Sequence, residues 1–66
     1  MKELLEMYFD RGDYKIIEDT NETIKLELRQ GLSGSRMGTK MIQDNNIVGF
    51  IAIEQSLELW KIKEGD

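Results

Sequence analysis

Apolar and polar residues alternate most regularly between Thr23 and Gln30. Ile24, Leu26 and Leu28 fall on one side, and Thr23, Lys25, Glu27 and Arg29 on the other. A period of two marks a strand with one face on a core and the other in water. The neighbouring segments predict the rest of a sheet. Tyr14 to Asp19 reads as a first strand, with Tyr14 and Ile16 facing one way and Ile17 the other, and Asp19-Thr20-Asn21-Glu22 has turn chemistry. Thr39 to Gln43 reads as a third strand and Ile47 to Glu54 as a fourth. Asp44-Asn45-Asn46 between them is a predicted hairpin turn, because asparagine tolerates positive φ. Leu57 to Lys63 is predicted as a fifth strand, with a short C-terminal helix as the alternative, since the alternation breaks between Leu59 and Trp60.

Residues 2–11 have a different period. Leu4, Leu5 and Tyr8 stand at i, i+1 and i+4, with Met7 and Phe9 widening the stripe. Glu3 and Glu6 lie where a helix dipole favours acids, and Gly12 sits where a helix-ending glycine belongs. The expected architecture is therefore α+β: a short N-terminal helix packed on a four- to five-stranded antiparallel sheet, in one small domain spanning residues 1–66.

The fourth predicted strand adds a constraint. Ile47, Ile51 and Ile53 point one way and Val48, Phe50 and Ala52 the other, so both faces are apolar and both call for cover. One short helix covers one face. The second layer is then the sheet curling on itself, the C-terminal segment, or another copy of the chain. The chain has 66 residues and no cysteine. So small a core without disulfides favours the last option, a homo-oligomer.

Composition narrows the chemistry. The chain lacks histidine as well as cysteine, which removes the usual zinc ligands, the thiol nucleophile and the commonest general base at neutral pH. Neither a cofactor nor a resident metal is expected. Nine Lys and Arg against thirteen Asp and Glu give a net charge of −4, the wrong sign for a dedicated polyanion binder. Acids among the first apolar residues do not fit a secretory leader, and the longest apolar run, Ile47 to Ile53, is far too short to span a bilayer. A cytoplasmic location is the expectation.

Two features invite a functional reading. The stretch Gly31-Leu32-Ser33-Gly34-Ser35-Arg36-Met37-Gly38 reads as a long polar loop. Its glycines, the hydroxyls of Ser33, Ser35 and Thr39, and the cations Arg36 and Lys40 are the parts of a phosphate cradle. Their spacing matches neither nucleotide-binding glycine motif, and no helix is predicted after them. Charge is also uneven. Residues 25–40 carry Lys25, Arg29, Arg36 and Lys40 against Glu27 alone, a net of +3, and the remainder of the chain carries −7. Such a stretch suits phosphates, but no aromatic is interleaved as a stacking platform. The acids Glu18, Asp19 and Glu22 lack the spacing of a calcium loop and read as an exposed turn.

Leu32 and Met37 stand out as apolar side chains in a glycine-serine loop, and Trp60 as an aromatic among charges. Displayed to solvent, they would anchor a partner; folded back, they belong to the core. The candidate contact residues are Leu32, Ser33, Ser35, Arg36, Met37, Lys40 and Trp60. The leading reading is a non-catalytic protein-binding module, an inhibitor or regulator of the phage or mobile-element type that acts by occupying a partner surface. Two others stand beside it: an oligomeric protein sequestering or sensing a small phosphorylated ligand or nucleotide through the 31–40 loop, and a nucleic-acid binder using the basic 25–40 stretch.

Overall fold

A computed structural model describes residues 2–62. Helix α1 spans Lys2–Tyr8 and is followed by a single 3₁₀ turn, Arg11–Asp13. Strands β1 (Tyr14–Asp19) and β2 (Thr23–Leu28) come next, then helix α2 (Gly34–Gln43), and strands β3 (Ile47–Ile53) and β4 (Ser56–Lys61). The strands form one sheet in the order β1-β2-β4-β3, with every neighbouring pair antiparallel. Two hairpins thus lie side by side, joined through α2, and β1 and β3 are the sheet edges. The expected α+β class holds, with four strands and a second helix.

Both helices lie on one side of the sheet. The core consists of Leu5 and Phe9 from α1 and the residue after it, Ile24, Leu26 and Leu28 from β2, Met41 from α2, Ile47 from β3, and Leu57 and Leu59 from β4. The alternation of β2 appears directly as burial, its three aliphatic positions closed and its polar positions exposed or half-exposed. α1 is shorter than the sequence pattern suggests. Phe9 N still donates to Leu5 O at 2.8 Å, but the chain then tightens and Gly12 lies inside the 3₁₀ turn. Asp13 fixes that turn: its carboxylate accepts from Asp10 N at 3.2 Å and from Arg29 Nε at 2.9 Å. At the β1–β2 turn the Thr20 hydroxyl accepts from Glu22 N and Thr23 N, the turn chemistry expected there.

The main correction concerns residues 31–43. The predicted loop and third strand are one turn-and-helix unit. Ser33 is the N-cap, its hydroxyl accepting from Arg36 N at 3.2 Å. Gly34, Met37, Gly38 and Met41 form the inward stripe at helical spacing, with Gly34, Gly38 and Met41 buried. The glycines let α2 lie close against β3. A Cβ on Gly34 would stand 3.3 Å from Ala52 Cβ, and one on Gly38 only 2.4 Å from Phe50 Cγ. Residues 44–46 do form a tight turn with positive φ at Asn45, but it connects a helix to a strand.

A second correction concerns strand parity. β3 carries a bulge between Ile47 and Gly49, which leaves Val48 65% exposed and puts Ile47 on the helix side with Phe50 and Ala52. Ile51 and Ile53 point to the other side. β1 is bulged as well, between Ile16 and Glu18, so that Ile17 is displaced outward. The segment predicted as Leu57 to Lys63 is strand β4 through Lys61, and Lys63 lies outside the described residues. Among the described residues no helix is long and apolar enough to cross a membrane.

Candidate functional site

With both helices on one side, the opposite face of the sheet has no covering element among the described residues. Cross-strand register places Lys15 against Glu27, Glu18 against Lys25, Lys25 against Glu58, and Ile51 against Glu58 on this open face. Ser56 opposes both Glu27 and Ile53, and Trp60 opposes Thr23 and Gly49. A shallow groove of about 250 Å³ runs across it, lined by Ile17, Lys25, Ile51, Ile53, Ser56 and Glu58, with the backbone level of β2 and β4 as its floor. Ile17, Ile51 and Ile53 are 55%, 49% and 67% exposed, unusual for three isoleucines bordering one groove. Lys25 Nζ and Glu58 Oε2 approach to 3.7 Å across its middle, so the central charges largely cancel. At one end Trp60, half-buried, borders a second hollow with Val48 and Ile62.

The sequence candidates divide between the two sides. Ser33 is committed to its cap. Leu32 and Met37 are partly buried against the core, so the two apolar side chains of the supposed loop fold back and do not reach out as anchors. Ser35, Arg36 and Lys40 are exposed on the outer surface of α2. Trp60 belongs to β4, whose Leu57 and Leu59 face the helices, so it lies across the sheet from α2. The basic 25–40 stretch is likewise dispersed. Lys25 is on the open face beside Glu58, Arg29 pairs with Asp13, and Arg36 and Lys40 are on the helix side. Ile17, Ile51 and Ile53 are not among the sequence candidates, although the apolar parity of Ile51 and Ile53 in the sequence already calls for cover on this face.

Among the described residues two groups, Tyr8 and Asp13, have displaced protonation equilibria, and both serve joints of the fold away from the groove. The Tyr8 hydroxyl donates to Asp44 Oδ2 at 2.5 Å and accepts from Asn46 Nδ2 at 2.7 Å, tying the end of α1 to the α2–β3 turn. The hydrogen bond to the Asp44 carboxylate, helped by desolvation, holds the phenol above its ordinary pKa. Asp13 is held below the usual carboxylate range, first by the Arg29 hydrogen bond and then by the Asp10 amide. Among the described residues no cluster of acidic side chains is arranged to hold a metal ion. Compared with protein-family models, curated proteins and solved structures, the chain matches none.

Proposed function

We propose that this chain is a small non-catalytic protein-binding module, an inhibitor or regulator of the phage or mobile-element type, acting in the cytoplasm by occupying a partner surface with the open face of its sheet. The observation that carries this reading is the trio Ile17, Ile51 and Ile53, exposed around a groove whose central charges, Lys25 and Glu58, neutralise each other. Such a face fits a protein surface with an apolar ridge and charges of both signs beside it. The groove is shallow and open, and its two charged groups, Lys25 and Glu58, face each other, which leaves neither free to orient a small substrate. Phosphate-centred readings draw less support, because Arg36 and Lys40 lie on the outside of a helix, apart from Lys25 and Arg29.

Capture of a defined protein from the native host lysate tests the proposal through two sets of variants. Ile17→Asp and Ile17→Ser, at a side chain already 55% exposed, should lose the captured protein while their melting temperatures stay unchanged. Arg36→Glu and Lys40→Glu should retain it. Loss on the α2 variants with retention on the open-face variants would move the contact to the helix side and overturn the assignment.

A further inference from the structure

The two edges of the sheet are treated differently by the sequence. An exposed edge strand offers unpaired N–H and C=O groups to any passing strand, and monomeric proteins blunt such edges with charges, prolines or bulges. β1 is blunted: it carries Lys15, Glu18 and Asp19, and its bulge falls in the middle of the strand. β3 is not. Its bulge lies at the start, at Val48, and the run Gly49-Phe50-Ile51-Ala52-Ile53 that follows has regular pairing and no charge. Four of the exposed large hydrophobic residues, Ile42, Val48, Ile51 and Ile53, belong to β3 or to the helix packed on it.

We infer that β3 pairs antiparallel with β3 of a second copy of this chain, about a two-fold axis at Ile51, joining two four-stranded sheets into one of eight strands. The side-chain sizes select both the occupant and the register. Centred on Ile51, the pairing sets Ile53 opposite Gly49, Phe50 opposite Ala52, and Ile51 opposite itself, so that apart from the central pair each bulky residue meets a small one. Opposed residues in an antiparallel pair share a face. Here Gly49, Ile51 and Ile53 all belong to the open face, and Phe50 and Ala52 to the helix face. The space over Gly49 is vacant, with nothing within 4 Å of where a Cβ would stand, and Ile53 of the second copy would fill it.

The helix beside this edge fits the same arrangement. Gly38 rests on Phe50, and its exposed helical neighbours Ser35 and Ile42 carry no charge, whereas Arg36 and Lys40 point elsewhere on the helix. Two copies, each with a net charge of −4, therefore meet along a strip that brings no like charges together. A paired run of five residues is only about 17 Å long. A standard interface takes about 800 Å² per partner, one-sixth of the 4843 Å² surface here. The dimer is accordingly expected to form at micromolar and higher concentration. It does not depend on the open face holding a foreign partner, and it extends that face continuously across both copies.

The absence of cysteine makes the test direct. In the stated register two Ile51 residues face each other within the Cα separation that a disulfide accepts. Ile51→Cys should give a disulfide-linked dimer under mild oxidation, whereas Ile17→Cys, on the opposite edge, should give none. Wild type should sediment at twice the 7.7 kDa chain mass at about 100 µM. Ile51→Lys should sediment as a single chain with an unchanged circular dichroism spectrum. Wild type that stays single at that concentration overturns the inference and leaves the edge to a foreign strand. So does equal cross-linking of the two cysteine variants. A dimer that survives Ile51→Lys also overturns it. Loss of partner capture by Ile17→Asp with the dimer intact would separate the fate of the open face from that of the edge.

Discussion

Gly38→Ala adds one methyl group where α2 crosses β3, and the geometry fixes where that group must go. The new Cβ would lie 2.4, 2.5 and 2.7 Å from Cγ, Cδ2 and Cδ1 of Phe50. Carbon atoms settle at ~3.5–4.0 Å, so ring and helix must separate by about 1 Å. Cγ is the root of the ring, so rotating the ring does not clear the contact. The backbone of α2 or β3 has to shift, over a core that includes the fully buried Met41 and Leu57. Overpacking of this kind costs about 1–3 kcal/mol. Replacing glycine by alanine within a helix returns up to about 1 kcal/mol of propensity. The expected net loss is about 1–2 kcal/mol, a fall of roughly 4–16 °C in melting temperature for a domain of this size. Thermal and urea unfolding followed by circular dichroism measure it. Gly12→Ala, at a glycine with nothing within 4 Å of its Cβ position, is the control expected to change little. Combining Gly38→Ala with Phe50→Leu should recover part of the loss, showing coupling between the pair. Gly38→Ala as stable as wild type, or strictly additive with Phe50→Leu, would refute the close approach of α2 to β3.

Ser33→Ala removes the α2 N-cap and should cost about 1 kcal/mol in urea unfolding. Glu54 holds a left-handed φ of 54° in the β3–β4 turn, so Glu54→Gly should gain about 0.5–1 kcal/mol as relief of that conformation outweighs the added unfolded-state entropy. Because the folded pKa of Asp13 is lowered, its contribution is fully present above the ordinary aspartate pKa and is lost as pH falls through the folded value. The urea midpoint of wild type should therefore drop further on acidification than that of Asp13→Asn, and equal drops would contradict the role given to Arg29. For Tyr8 the sign reverses. Its folded pKa is raised, so its contribution is present below the ordinary tyrosine value and is lost as pH rises through the folded one. Ultraviolet titration should show one tyrosine ionising late, and Tyr8→Phe should abolish that late step.

Much of the fold was legible because its residues obey one period at a time. Thr23 to Leu28 alternates without interruption, and Leu4, Leu5 and Tyr8 keep helical spacing, so these elements needed no tertiary information. α2 was hidden by the requirement that places it. A helix that must approach a strand closely carries glycine on its inner face, and Gly34 and Gly38 lower helix propensity and look like loop residues. The inward stripe becomes visible once glycine counts as a packing residue: 34, 37, 38 and 41 have helical spacing, and Ser33 immediately before them is a cap. The signals were in the chain, but propensity and packing pointed in opposite directions, and packing prevailed.

The same conflict explains why Leu32 and Met37 read as displayed side chains in the sequence. Leu32 and Met37 looked displayed because their neighbours looked like loop; once those neighbours are helix, both side chains turn to the core. The apolar excess of Ile47 to Ile53 was legible, but its parity was not, because a bulge at Val48 shifts the phase by one residue and moves Ile47 alone to the helix side. Beyond the bulge the pattern is regular. Phe50 and Ala52 are accounted for by α2, while nothing among the described residues accounts for Ile51 and Ile53. The excess that first suggested a second layer therefore reduces to two isoleucines at an uncharged edge, with open space over the glycine that the proposed pairing would set opposite Ile53.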